Sequence, residues 1–185
     1  MGSWREISGI VEHPPNADDD LGWGTPVNLG CTLNSTGGDS GPVYFVDPST
    51  GNAVLFFAST RPGGQGINDF WMSTRGGDGT WSAPGVIAEL SSAFEDNKLA
   101  ITRNGLTVYF SSNRPGGSAD LAGFNIWVSN RATTQDTWSP PTLAVEAAGL
   151  PALSTNGKEL YMVRRDVTAG PFKNELFVST ADKAP

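Results

Sequence analysis

The chain is poor in the groups that most catalytic and metal chemistry needs. Its 185 residues contain one cysteine, Cys31. That excludes an internal disulfide and a thiolate metal cluster within one chain, and a lone thiol reads as a small buried hydrophobe. Histidine also occurs once, as His13 in Val11-Glu12-His13-Pro14-Pro15. No G-x-S-x-G elbow and no phosphate loop with its lysine is present. No run of about 18 apolar residues occurs, so no membrane span is expected. The first residues carry no basic segment followed by an apolar one, so no signal peptide is expected. The compartment stays open, periplasmic and secreted included. Basic residues number 12 against 19 acidic ones, for a net charge of −7. Such a chain lacks the positive surface that nucleic acid requires, and anionic membranes are disfavoured on the same ground. Long helical periodicity is missing as well. Its nearest approach, Val86 to Asn97, is short and interrupted by serines and acids.

Turn formers are plentiful instead, with 23 Gly and 13 Pro, and the apolar residues come in short repeated runs. Trp23-Gly24-Thr25-Pro26, Trp81-Ser82-Ala83-Pro84 and Trp138-Ser139-Pro140-Pro141 share the pattern W-x-x-P at spacings of 58 and 57 residues. Asp69-Phe70-Trp71-Met72-Ser73-Thr74 recurs as Asn125-Ile126-Trp127-Val128-Ser129-Asn130 and as Glu175-Leu176-Phe177-Val178-Ser179-Thr180. Leu55-Phe56-Phe57-Ala58-Ser59-Thr60-Arg61-Pro62-Gly63-Gly64 recurs as Val108-Tyr109-Phe110-Ser111-Ser112-Asn113-Arg114-Pro115-Gly116-Gly117, with a degraded copy from Leu160 to Arg165.

Each run reads as a strand, because β-branched and aromatic residues bounded by Gly, Pro, Asn and Ser suit a pleated, half-buried surface. Asn104-Gly105 and Asn156-Gly157 predict tight two-residue hairpins. One repeat thus has four strands: A before the Asn-Gly turn, B the Val-Tyr-Phe-Ser run, C the Ile-Trp-Val-Ser run, and D from the W-x-x-P. Four antiparallel strands at this period describe a β-propeller blade. The fold class is all-β. The expected organisation is a lead-in over 1–22, a D strand at 23–30, blades at 31–87 and 88–143, and a partial blade at 144–185. The leading D strand is what the last blade lacks. Three blades cannot close a ring, so a homodimeric six-bladed propeller with strand exchange is expected, or else a piece of a longer protein. Trp71, Trp81, Trp127 and Trp138 read as blade core rather than as sugar-stacking platforms.

The series S-x-x-R-P-G-G, then N-I-W-V-S, then W-S-x-P resembles the TolB-type, WD-like propeller repeat of bacterial proteins over about residues 23 to 180. The last copy departs from it, with Asp166 to Phe172 in place of Arg-Pro-Gly-Gly. The resemblance implies a propeller and no single activity. Ser73 to Trp81, ending in Asp78-Gly79-Thr80-Trp81, also resembles the Asp-box turn of sialidases, a structural element there.

Candidate site residues lie at the starts of the A strands, which line a propeller's channel. Asp39, Glu95 and Asp96 fall at about the same repeat position; the third repeat has Ala147-Ala148-Gly149. Converging carboxylates there suit a divalent cation such as calcium, or acid–base work. The alternative is that they cap strand ends. His13 is a candidate metal ligand with Glu12 or Asp18–Asp20, or a solvent-exposed residue of an irregular segment. Arg61 and Arg114 recur inside one motif and read either as anion or substrate contacts or as pins between blade edges. Arg75 and Arg131 read as surface residues paired with acids. The leading functional expectation is a non-catalytic propeller binding a protein, peptide, glycan or other small ligand at the channel mouth. The alternatives are a metal-dependent hydrolase of lactonase, phosphotriesterase or esterase type, and a glycoside hydrolase working through two carboxylates.

Overall fold

Two features of the repeats dictate the sheets: short apolar runs, and a glycine pair that turns the chain sharply between strands B and C. The computed structural model describes residues 5–7, 10–12, 24–118, 123–165 and 173–181, the first two stretches by backbone alone. Strands β1 (Arg5–Ile7) and β2 (Ile10–Glu12) form a hairpin. A four-stranded antiparallel sheet follows, made of β3 (Asp39–Val46), β4 (Ala53–Ser59), β5 (Asp69–Arg75) and β6 (Gly85–Val86) in that order. A second contains β7 (Asp96–Ile101), β8 (Thr107–Ser112), β9 (Asn125–Asn130) and β10 (Thr142–Val145). The third has three strands, β11 (Gly149–Leu153), β12 (Glu159–Arg165) and β13 (Asn174–Thr180). The sheets appear in the expected strand order, A-B-C-D twice and then A-B-C.

The Arg-Pro-Gly-Gly motif has a steric explanation. Its first glycine takes a positive φ, 97° at Gly63 and 114° at Gly116. A Cβ on the second would run into the side chain that opens strand C, Asp69 against Gly64 and Asn125 against Gly117. Asp69 Oδ2 then accepts the Gln65 and Gly66 amides at 2.8 and 3.0 Å, which closes the turn.

The W-S-x-P serines lock strand D to strand C. Ser73 Oγ donates to the Ser82 carbonyl (2.7 Å), and the Thr74 amide donates to Ser82 Oγ (3.1 Å). Ser129, Asn130 and Ser139 repeat both bonds at 2.6 and 3.1 Å. The Asp-box-like turn is a hydrogen-bonded loop in which the Asp78 carboxylate accepts the Thr80 amide and hydroxyl.

The largest core lies between the first two sheets. Phe56 and Phe70 from one face Phe110 and Trp127 from the other, with Leu90 and Trp138. Phe70 and Phe110 meet edge to face with centroids 5.2 Å apart, the arrangement that suits two aromatic quadrupoles. Ile126, Ala148 and Met162 join the second sheet to the third. On the rim, Asp47 ties the first two sheets together: it accepts Thr134 Oγ1 (2.7 Å) and Gln135 Nε2 (3.0 Å).

Several expectations need correction. Residues 24–29 form no extended D strand; Val27 makes a single bridge, and one helical turn, α1 (Gly30–Leu33), follows. A strand needs a ladder partner, and within the described residues none lies beside this segment. Cys31 is exposed, because only Leu33 of that turn packs inward. The Asn-Gly hairpins are longer than two residues: Thr102 and Thr107 close the first, and Asn104 Oδ1 accepts Thr102 Oγ1 and the Leu106 amide. The Arg75 and Arg131 Nε groups donate to the Gly79 and Gly105 carbonyls at 2.8 Å, and Arg131 also lies in the field of the Asp47 and Asp136 carboxylates. Among the described residues no helix is long and apolar enough to cross a membrane. His13, Trp23 and Asp166–Phe172 lie outside the described residues.

Phe110→Ala opens a cavity at the centre of the first inter-sheet core, where Phe110 is completely buried. The expected loss is about 3–5 kcal/mol, read by urea unfolding followed through tryptophan fluorescence.

Candidate functional site at the inner strand ends

Two of the A strands open on acids singled out in the sequence, β3 on Asp39 and β7 on Asp96 with Glu95 just before it, whereas β11 opens on Gly149. Register places Asp39 opposite Ser59 and Asp96 opposite Ser112. These are equivalent positions, and the structure uses them identically. Arg61 NH2 donates to Asp39 Oδ1 (2.7 Å) and to the Leu33 carbonyl (2.6 Å), while its Nε donates to Ser59 Oγ (2.9 Å). Arg114 NH2 donates to Asp96 Oδ1 and to the Leu90 carbonyl, both at 2.6 Å, and its Nε donates to Ser112 Oγ (3.0 Å). Each guanidinium also lies over strand B and C aromatics. Arg61 sits 4.8 Å from the Phe57 centroid and 5.1 Å from that of Trp71; Arg114 sits 4.9 Å from Phe110 and 5.5 Å from Trp127.

This is a structural pin. The Asp96 side chain is 0% exposed, and its other oxygen accepts Ser92 Oγ at 2.7 Å. It therefore does not face an open channel mouth. The Asp39 side chain is 19% exposed. Burial pushes its carboxyl up, but the Ser35 amide, the Ser59 hydroxyl and the Arg61 guanidinium outweigh that and lower its pKa to about 2 from an ordinary 3.8. A carboxylate held that firmly is a poor proton donor near neutrality.

Glu95 is placed differently. It is half-buried, its carboxylate accepts Asn97 Nδ2 (3.1 Å), and its amide donates to Asn113 Oδ1 (2.8 Å). Beside it runs a feature that sequence reasoning missed. Each A strand carries a bulge where the backbone turns to positive φ, at Gly41 (59°), Lys98 (52°) and Leu150 (55°). Left-handed backbone at Lys and Leu costs of order 1 kcal/mol or more. It re-aims side chains as bulges do, and both Lys98 and Leu150 are exposed. The Lys98 side chain reaches across to Gly41 of the neighbouring A strand, where Cδ and Nζ lie 3.7 and 3.8 Å from the position a Cβ would take. Glu95, Asn97, Lys98 and Asn113 thus form the polar, accessible part of this edge.

The structure does not gather Asp39, Glu95 and Asp96 around one point. Among the described residues no three His, Cys, Asp or Glu side chains group as metal ligands, so the acids do not fit the proposed calcium ion. They sit in successive sheets, and two are already neutralised by arginine. The Arg61 and Arg114 donors are likewise committed, which leaves little for an external anion. One sequence signal did point to the pins: the aspartate and the Arg-Pro-Gly-Gly occur together in two repeats and are lost together in the third. There Arg164, one position past Val163 in strand B, sits over Phe177 (5.6 Å) and donates to the Glu146 carbonyl (3.1 Å).

Comparison with solved structures gives the fold. The chain superposes on a Hadza microbial sialidase with a TM-score of 0.50 and 16% identity, over 77% of this chain and 31% of that one. It superposes on a thermostable family-43 glycoside hydrolase with a TM-score of 0.54 and 12% identity, over 80% of this chain and 56% of that one. Both are β-propellers. This chain has the β-propeller fold. The propeller spans less than two thirds of the length of either relative. No protein-family model matches the sequence, and no curated protein does.

Two outcomes follow from the pins. Arg114→Met leaves Asp96 buried and unpaired, so a loss of about 3–5 kcal/mol is expected; adding Asp96→Asn should restore much of it, as a double-mutant cycle in urea will read. Asp39 and Asp47 are both held at about 2, below their unfolded values, so their contribution is complete above about pH 4. It is lost as pH falls from there toward 2. Thermal unfolding should show the midpoint falling across that window, and less steeply in Asp39→Asn.

Proposed function

We propose that this propeller is a binding module that recognises a glycan, or a similarly polar small ligand, along its inner strand ends. The observation that carries the reading is the commitment of Asp39 and Asp96 to arginine, which leaves Glu95 as the available carboxylate among the three candidates. Glycoside hydrolysis works with a pair of carboxylates, one protonating the leaving group and the other acting as nucleophile or base. One free acid beside two amides and a lysine suits hydroxyl recognition better than bond cleavage. Glu95, Asn97 and Asn113 supply acceptors and donors, and Lys98 supplies a cation at the same edge.

A second reading is favoured by the two structural relatives, whose names describe a sialidase and a family-43 glycoside hydrolase. In that reading the chain is part of a glycoside hydrolase, with Glu95 as one catalytic carboxylate. A metal-dependent hydrolase is disfavoured, since the acids do not converge among the described residues. The S-x-x-R-P-G-G series keeps a TolB-like ancestry as part of the proposal. So does a six-bladed ring closed by a second copy of the chain, in which two Glu95 residues would share one channel.

The test is a glycan array covering sialylated and neutral sugars, followed by calorimetry on the best binder. Binding without turnover is expected, with Glu95→Gln or Asn113→Ala weakening it by about tenfold, the effect of one hydrogen bond to a charged group. Release of sugar from aryl glycosides that vanishes in Glu95→Gln would replace this reading with the hydrolase.

A further inference from the structure

A cavity of about 140 Å³ lies between the first two sheets, at the opposite ends of the strands from Asp39 and Glu95. Both sheets build it. The first contributes Val54 and Phe56 of β4, with Thr74 and Met72 of β5 directly opposite them. The second contributes Arg131, just past β9. Asp47, Thr134 and Gln135 close the rim through the two hydrogen bonds that tie the sheets together. The walls are therefore held in place before anything enters, which lowers the ordering cost of binding.

Arg131 differs from the two pins. Arg61 and Arg114 each commit a terminal nitrogen to a carboxylate and a carbonyl. Arg131 donates its Nε to the Gly105 carbonyl and lies over Trp138, with its Cζ 4.1 Å from the ring centroid. Those two contacts fix the guanidinium plane. Its two terminal nitrogens donate to no acceptor among the described residues. The group is half-buried, and burial lowers its pKa from the ordinary value despite the nearby Asp47 and Asp136 carboxylates. A guanidinium drawn out of water with donors unmatched is poorly compensated, and an acceptor in the cavity would relieve it.

The rest of the lining narrows what that acceptor is. One cation beside two carboxylates repels a further anion, and the guanidinium repels a cation, so a neutral molecule fits. Arg131 only donates and an ionised Asp47 only accepts. Asp47 Oδ2 takes one bond, from Gln135. The Thr74 hydroxyl can do both. A hydroxyl group suits all three partners, because it donates one bond and accepts two. Val54, Phe56 and Met72 supply an apolar floor for C–H groups. A cavity of about 150 Å³ takes up benzene, and glycerol is of that size.

We propose that this cavity binds a small neutral polyol, with vicinal hydroxyls on the two ends of the Arg131 fork, a hydroxyl donating to Asp47, and the carbon chain against Val54 and Met72. The site is separate from the inner strand ends and does not rest on glycan recognition there. Ordered water is the competing occupant, since it also donates and accepts. A polyol gains over water by covering the apolar floor and by presenting two linked oxygens to the fork.

The test is a titration of the isotope-labelled full chain with three compounds, followed by NMR shifts of backbone amides and of the Arg131 Nε–H. Glycerol and propylene glycol carry a vicinal pair of hydroxyls; trimethylene glycol sets its two hydroxyls one carbon further apart. Shifts at Thr74, Arg131 and Gln135 that saturate with the first two, and not with the third, are expected. Arg131→Lys keeps a cation over Trp138 and removes the fork, so the Kd for glycerol should rise about tenfold, the effect of one hydrogen bond to a charged group. Thr74→Val leaves Arg131 and its contacts in place and should raise the Kd about fivefold, the effect of one neutral hydrogen bond. Shifts that rise linearly without saturating, that are the same for all three compounds, or that persist unchanged in both variants overturn the proposal and leave the cavity to water.

Discussion

The arginine pin is the contact on which the rest of the arrangement depends. A guanidinium holds the aspartate that opens strand A, the serine that ends strand B and a carbonyl from the preceding connection, while resting on the aromatics of strands B and C. One side chain thus fixes three pieces of backbone that hydrophobic burial alone would leave free to slide. Burial supplies most of the driving force but is not directional. The planar five-donor fork is directional, and its charge is matched rather than stranded. Repeated in two sheets, the pin gives neighbouring sheets the same geometry, each guanidinium resting on its own strand B and C aromatics in the same way.

That structural use of charge constrains function. Aspartates that face inward and bind arginine are unavailable to substrate, metal or proton, however well their sequence positions match a channel mouth. What remains accessible is the rim: a glutamate, two amides and a lysine aimed by backbone bulges. The bulges matter because a regular strand alternates its side chains strictly, and a left-handed residue breaks the alternation to present Lys98 and Leu150. Strain of this kind persists only where the surrounding ladder holds it. Here the A strand is hydrogen-bonded on both sides of the bulge.

The third sheet is the exception that explains the others. Among the described residues it lacks the aspartate, the Arg-Pro-Gly-Gly and the fourth strand, and Tyr161, Leu176 and Val178 are exposed on it. Its Arg164 still covers the strand C aromatic, but from a different position and without a carboxylate partner.

Much of the fold was legible in the sequence because it follows from local rules. Short aromatic and β-branched runs at a fixed period, glycine pairs where a Cβ would collide, and W-S-x-P serines with bonds to neighbours in strand C specify strands and their order without long-range information. The exposure of Cys31, the longer Asn-Gly loops and the helical turn at 30–33 were not legible, since each depends on whether a packing partner or ladder neighbour is present. The candidate site was legible as a place but not as chemistry. Asp39, Glu95 and Asp96 look alike along the chain, and only folding brings arginines 22 and 18 residues downstream onto two of them and leaves the third facing outward. Repeats and turns are encoded by neighbours in sequence, whereas the availability of a charge is decided by which distant group folds against it.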